Sequence, residues 1–267
     1  MKPSRIIFLL LALFFIHFKP AEKLFVPPGT VKVNETLYCG KTEVSNKDWK
    51  AYQLWTKQTF GDASVQYKSS YPDTSVWFEF CDRTDKYAQN YFRDALYNDH
   101  PIVGITYEQA ADFCKWRTEE AKELTKQKEY SKTLLPKSFI YRLPTGTEWQ
   151  EAAKAGYSEK HQKYIDKNHL KPTRLHNIIS DSIPPPGTIF KEYPDATITA
   201  PVDVYFPNSF GIFNLIGNVK EMTSTKGIAK GGGWGDRNKS ITIEKEYSYE
   251  PPSAELGFRC VCEVTWK

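Results

Sequence analysis

The first apolar stretch of the chain is unbroken: Ile6 to Ile16 reads IIFLLLALFFI, with Lys2 and Arg5 before it and Lys19-Pro20 shortly after. Basic, then apolar, then helix-breaking is the order of a secretory signal, and the run is shorter than the roughly 20 residues that span a bilayer. An uncleaved N-terminal anchor stays open, because no small-x-small cleavage site stands out. Residues 1–21 are therefore read as a signal peptide or N-terminal anchor, and 22–267 as one domain. Beyond it the pattern shortens. Leu24 to Val44 alternates in TVKV and LYCGKTEV around Pro27-Pro28-Gly29, which predicts short strands. Three capping boxes then predict helix starts: Ser45 with Asp48, Thr106 with Gln109, and Thr145 with Glu148. The first helix presents Trp49, Tyr52 and Trp55 on one face, and the second presents Tyr107, Ala110, Ala111 and Cys114 and runs toward Lys126. The third buries Trp149, Ala152 and Ala153, with Gly156 placed to end it. Gly61 to Asn98 is polar, aromatic and irregular, and Tyr157 to Asn208 is Pro-interrupted and weakly periodic. A loop of that length in a compact domain is functional, or is held by ions or side-chain networks.

Composition narrows the class. With 267 residues, 40% hydrophobic and 15% aromatic, the chain lies far from the disordered regime and buries a core. The 36 basic and 32 acidic residues come nearly into balance once Lys2, Arg5 and Lys19 leave with the first segment, which argues against a nucleic-acid partner. Export permits disulfides, and the five cysteines, Cys39, Cys81, Cys114, Cys260 and Cys262, leave at least one unpaired within the chain. None has C-x-x-C spacing, and Cys260 and Cys262 point to one face of a strand. No cysteine lies near Ala12 to Ala21, so a bacterial lipid anchor is excluded. The expected location is periplasmic or envelope-associated, with the N-terminal segment as the route to any membrane contact.

Two segments carry candidate chemistry. In FNLIGNVKEM, Asn214, Asn218 and Glu221 place oxygen donors around Gly217, whose backbone tolerates a tight turn; this suits a hard cation such as calcium. A polar turn with Asn side chains bonded to their own backbone explains the same spacing. KGGGW lacks the phosphate-loop spacing and a following helix, so it reads as a strand passing close under neighbouring backbone.

Seven pieces then match in order: FVPPGTV, TEVSNKDW, HPIVGITYEQAADFCKWR, YRLPTGTEWQEAAKAG, APVDVYFPNSFGIFNLIGNVKEM, KGGGW and GFRC. Together they resemble the formylglycine-generating enzyme, or sulfatase-modifying factor, family over nearly the whole chain after residue 21. The resemblance implies an α+β fold of variant C-type-lectin-like type, poor in regular structure, with a groove on one face. YPDTSVWFEF and YFRDALYNDHPIVGITYEQAADFCKWR look closer to the branch holding bacterial gliding-motility and type IX secretion lipoproteins, whose domain serves envelope assembly. The likeness also implies structural calcium, held by Asn214, the carbonyls of Gly217 and Val219, and Glu221. A second site would use Asn177, Ile178 and Asp195. Cys114 and Cys260 fall where the family forms a disulfide. The family oxidase carries G-G-S-W-x-C and a second cysteine five residues later, thiolates that bind Cu(I) and engage a substrate cysteine. Here Gly233 stands at the serine, Asp236 at the first cysteine and Ile241 at the second, so copper is not expected. The reading is an exported, calcium-stabilised, non-catalytic domain with a groove near Trp234, Asp236 and Arg237 that binds an envelope protein or peptide; Trp234 anchors a partner there if exposed and is otherwise a core residue, the reading favoured for it. The alternatives are a formylglycine-forming oxidase, or another enzyme on the same scaffold.

Overall fold

The computed structural model describes residues 23–79, 84–178, 198–250 and 252–266. The N-terminal apolar run, Cys81 and Asp195 lie outside the described residues.

All three capping boxes form. Ser45 caps α1 (Asn46–Phe60), Thr106 caps α4 (Tyr107–Thr125) and Thr145 caps α5 (Gly146–Ala153), each with reciprocal side-chain bonds. A cap of this kind contributes about 1 kcal/mol, and it fixes where each helix leaves its loop. The α4 helix ends at Lys126 as its pattern predicts, whereas α5 ends at Lys154, ahead of Gly156. There the chain turns away to let the Gly156 carbonyl accept from Ser209. Between the first two of these helices run two short helices, α2 (Val65–Ser69) and α3 (Thr84–Asn90), with two 3-10 turns.

Four strands make an antiparallel sheet in the order β2 (Thr30–Lys32), β3 (Leu37–Gly40), β10 (Val261–Thr265), β5 (Ser138–Arg142). The C-terminal strand thus lies between an N-terminal and a central one. The α1 and α4 helices pack on its face, where Trp49 stacks on Phe113 at 5.5 Å and meets the edge of Phe258 at 6.1 Å. Trp49, Phe113 and Phe258 are fully or almost fully buried, each such ring contributing about 1.5–3 kcal/mol from area alone. Cys114, Cys260 and Cys262 belong to this core, whereas Cys39 and Val261 belong to the core on the opposite face with Trp149, as strand alternation requires.

A second sheet has the order β8 (Tyr247–Ser248), β7 (Ile228–Lys230), β6 (Lys220–Met222), β9 (Leu256–Gly257), with β6 and β9 parallel. A parallel pair, β1 (Lys23–Leu24) with β4 (Thr133–Leu134), ties the start of the described chain to the segment after α4. The region read as one long loop contains α6 (Glu159–Asn168). This helix escapes apolar periodicity because only Ile165 is buried; it is held by the Ser158 cap, by Glu159–Lys163 and Gln162–Asp166 contacts one turn apart, and by left-handed His169 at its end.

Candidate functional site

The segment 214–221 runs from a tight turn into β6 and gathers most of the residues singled out for metal binding. Asn214 and Asn218 adopt positive φ (52° and 61°), and Gly217 lies between them at φ 80°. A side chain at Gly217 would come within 2.6 Å of the Asn177 carbonyl oxygen, so the glycine is required by contact as well as by backbone. Asn218 is fully buried. Its amide nitrogen side chain donates to Glu43 Oε1 (2.9 Å) and Ala200 O (3.1 Å), and its Oδ1 accepts from Ala200 N and Asn177 Nδ2. Asn177 also accepts, through its main-chain oxygen, the N–H of Asn218, and Ile178 packs against Gly217.

Glu221 is placed differently from a free ligand. Arg259, with no exposed surface, donates to both its oxygens, through Nε at 2.6 Å and Nη2 at 2.5 Å, and Trp149 Nε1 donates at 2.7 Å. The guanidinium also donates to the carbonyls of Gly40 (3.0 Å), at the end of β3, and Phe213 (2.9 Å), just before Asn214, and so ties these two segments to the chain entering β10. A second buried carboxylate, Glu43, lies 3.9 Å from Arg259. One cation thus faces two acids, and burial pushes the Glu43 carboxyl up to about 8 against the opposing pull of Arg259. Neither Glu43 nor Arg259 was singled out from the sequence, although both lie inside matched motifs, TEVSNKDW and GFRC.

Asn214 completes the cluster. Its Nδ2 donates to Glu43 Oε2 and Pro201 O at 3.4 and 3.3 Å, and its buried Oδ1 has no hydrogen-bond partner among the described residues. This orphan acceptor in a turn of left-handed residues fits an oxygen-coordinated cation. Among the described residues no group of three or more His, Cys, Asp or Glu side chains could hold a metal on its own, so carbonyls and amides would have to supply most of such a shell.

The part of the site that holds Asp236 is built on β6 and the KGGGW segment. Asp236 accepts from Gly233 N (2.9 Å) and pairs with Lys220 Nζ (3.2 Å), which also pairs with Glu255 and lies over the Tyr247 ring at 5.6 Å. Opposing acids outweigh burial and hold the Lys220 ammonium above its ordinary range. Ile241 packs on Gly232, where an added Cβ would lie 2.8 Å from Ile241 Cδ1. Lys230, on β7, reaches the Glu244 carbonyl at 2.8 Å, and Lys245 lies over Tyr247 at 4.4 Å, so the 236–247 loop is fastened down on both sides. Trp234 is a correction to the expected groove lining: it is 4% exposed, its Nε1 donates to Ala254 O, and it packs with Trp77 and Val219 beneath the surface. Asp236 and Arg237 are partly exposed. The four described thiols, Cys39, Cys114, Cys260 and Cys262, are buried in the sheet cores, none at the Asp236 or Ile241 position.

A mixed α+β scaffold of short strands, with chain ends meeting in one sheet and a Gly-rich segment over a buried polar turn, defines the class of protein. The sulfatase-modifying factor enzyme 1-like domain model matches residues 15–264, and the chain belongs to that family. It is 23% identical over 192 residues to the formylglycine-generating enzyme of Mus musculus, covering 62% of this chain and 45% of that protein. It is 30% identical over 125 residues to the enzyme of the same name from Thermomonospora curvata, covering 46% of this chain and 32% of that one. The inactive C-alpha-formylglycine-generating enzyme 2 of Bos taurus is 26% identical over 178 residues, covering 61% and 50%. The chain spans about half, or less, of the length of these relatives. The crystal structure of CarF aligns over 88% of this chain and 96% of its own with a TM-score of 0.53 at 19% identity, a likeness of fold. The expected α+β fold of the formylglycine-generating enzyme is thus the one observed, and active and inactive relatives stand on the same scaffold.

Proposed function

We propose that this chain is a non-catalytic member of its family, exported to a bacterial envelope, whose groove beside Asp236 and Arg237 binds a protein or peptide as in the gliding-motility and type IX secretion branch. One observation carries the reading. Where two thiols would be needed, the chain has a carboxylate already ion-paired to Lys220 and an isoleucine already packed on Gly232. A hard, neutralised carboxylate and an aliphatic side chain offer Cu(I) no sulfur and a substrate cysteine no partner.

The test has two arms. Incubated with Cu(I), oxygen and a sulfatase-type cysteine peptide, the purified protein is expected to give no aldehyde by mass spectrometry, and crosslinking in the native envelope is expected to recover it in a large assembly. Aldehyde formation would overturn the non-catalytic reading; recovery as a free monomer would overturn the scaffolding one.

Calcium belongs to the same proposal as a structural ion. Asn214 Oδ1 and the carbonyls of Gly217 and Val219 would hold it, with Glu221 shared with Arg259, and Asn177 and Ile178 would contribute to a second ion. Its role would be to pin the turn that carries β6 beneath the groove. A chelator is expected to lower the melting temperature of the wild type and to leave Asn214→Ala nearly unmoved. Identical wild-type melts with calcium and with chelator would remove the ion from the account.

A further inference from the structure

We infer that the end of the domain formed by β1, β4 and the segment after α4 is a membrane-contact face that rests on an anionic bilayer. This goes beyond the groove and does not depend on it.

The face has an apolar tip. β1 and β4 pair so that Leu24 lies opposite Leu134, and these two with Val26 are 39%, 49% and 51% exposed. They are held in place from below. Phe25, buried between them, packs on Phe139 at 5.0 Å and Tyr130 at 6.2 Å, and its N–H donates to Leu134 O at 3.1 Å. Exposed leucine and valine on a rigid two-strand support are costly in water and favourable in an acyl boundary.

Around the tip the charge is mainly basic. Lys23, Lys126, Lys128, Lys132 and Lys137 are exposed, and the acids among them are Glu123, which is paired with Lys126, and Glu129; Glu22 adjoins in sequence. Lysines flanking exposed apolar side chains suit phosphate headgroups, each contributing on the order of 1 kcal/mol near an anionic surface.

Position decides between a bilayer and other occupants. Lys23 lies within this face, and in the sequence the eleven-residue apolar run Ile6–Ile16 precedes it by only a few residues. A segment able to enter lipid is thus joined directly to the face.

The experiment uses the full chain carrying an environment-sensitive fluorescent amino acid in place of Leu134, or of Tyr164 on α6 as control. With phosphatidylglycerol-containing vesicles, emission at position 134 is expected to shift to the blue, and emission at 164 to stay unchanged. The triple variant Lys128→Glu, Lys132→Glu, Lys137→Glu is expected to partition at least about tenfold more weakly at low salt. Three results would overturn the inference. The protein could float with vesicles while position 134 stays water-like, which makes the N-terminal run the sole contact. The blue shift could appear without lipid, which makes a second copy the occupant. Partitioning could be indifferent to both the charge reversal and the lipid headgroup.

Discussion

Arg259→Met is expected to destabilise the domain by about 3–5 kcal/mol, because it leaves two buried carboxylates without their cation. The guanidinium makes four of its hydrogen bonds inside the protein, two to Glu221 and one each to the Gly40 and Phe213 carbonyls, and no described part of the site replaces them. Arg259→Lys should recover little of the loss, since an ammonium cannot make the forked contact with Glu221 while reaching both carbonyls. The pH dependence separates this account from simple loss of packing. Glu43 already has its folded-state pKa raised from 4.5 to about 8 by burial, with Arg259 pulling it down. A carboxyl raised in the folded state contributes stability that is fully present below its unfolded pKa and is lost as pH rises through the folded value. Removing Arg259 takes away the downward pull and lifts the folded-state value further, so the deficit of the variant should be larger near pH 9 than near pH 5. Denaturant unfolding at both pH values measures it, and a loss below about 1 kcal/mol at each, or one equal at both, would contradict the role given to Arg259.

Most of the fold was legible where local chemistry acts alone. The three capping boxes located three helix starts to the residue, because a cap needs only residues three apart and a following apolar face. The aromatic stripe Trp49, Tyr52, Trp55 and the inward face of α4 were equally visible, as spacing is all that periodicity requires. What stayed hidden depends on partners distant in sequence. α6 is stabilised by its cap and polar pairs and buries a single Ile165, so no apolar period marks it. Glu43 and Arg259 are separated by most of the chain, and nothing in TEVSNKDW or GFRC shows that the two charges meet. The same limit applies to Trp234: its motif allows either a groove lining or a core residue, and only its contacts with Trp77 and Val219 place it in a core. The residues of FNLIGNVKEM were found, whereas the partner that takes both oxygens of Glu221 lay outside the motif.

The thiols carry the other large effect. Cys114 on α4 and Cys260 just before β10 lie with their sulfurs 3.3 Å apart, both buried as thiols in this structure and 146 residues apart in sequence. Burial pushes the Cys114 thiol up, whereas the hydrogen bond shared with Cys114 and the nearby Arg117 outweigh burial and hold the Cys260 thiol below its ordinary range. We propose that export oxidises the pair: thiol–disulfide exchange with a host protein disulfide removes two electrons and two protons from the pair, forms the Cys114–Cys260 bond and reduces the host disulfide to two thiols. Joining residues so far apart removes chain entropy from the unfolded state worth roughly 4–5 kcal/mol in the loop-closure model. The bond would tie α4 to the residue that leads into β10, next to Arg259. Protein recovered from an oxidising compartment is therefore expected to melt well above the same protein treated with reductant, while Cys114→Ala should melt near the reduced wild type and ignore reductant. Equal wild-type melts with and without reductant, or a free-thiol titration that finds both Cys114 and Cys260 reactive after unfolding, would show that the two remain a thiol pair.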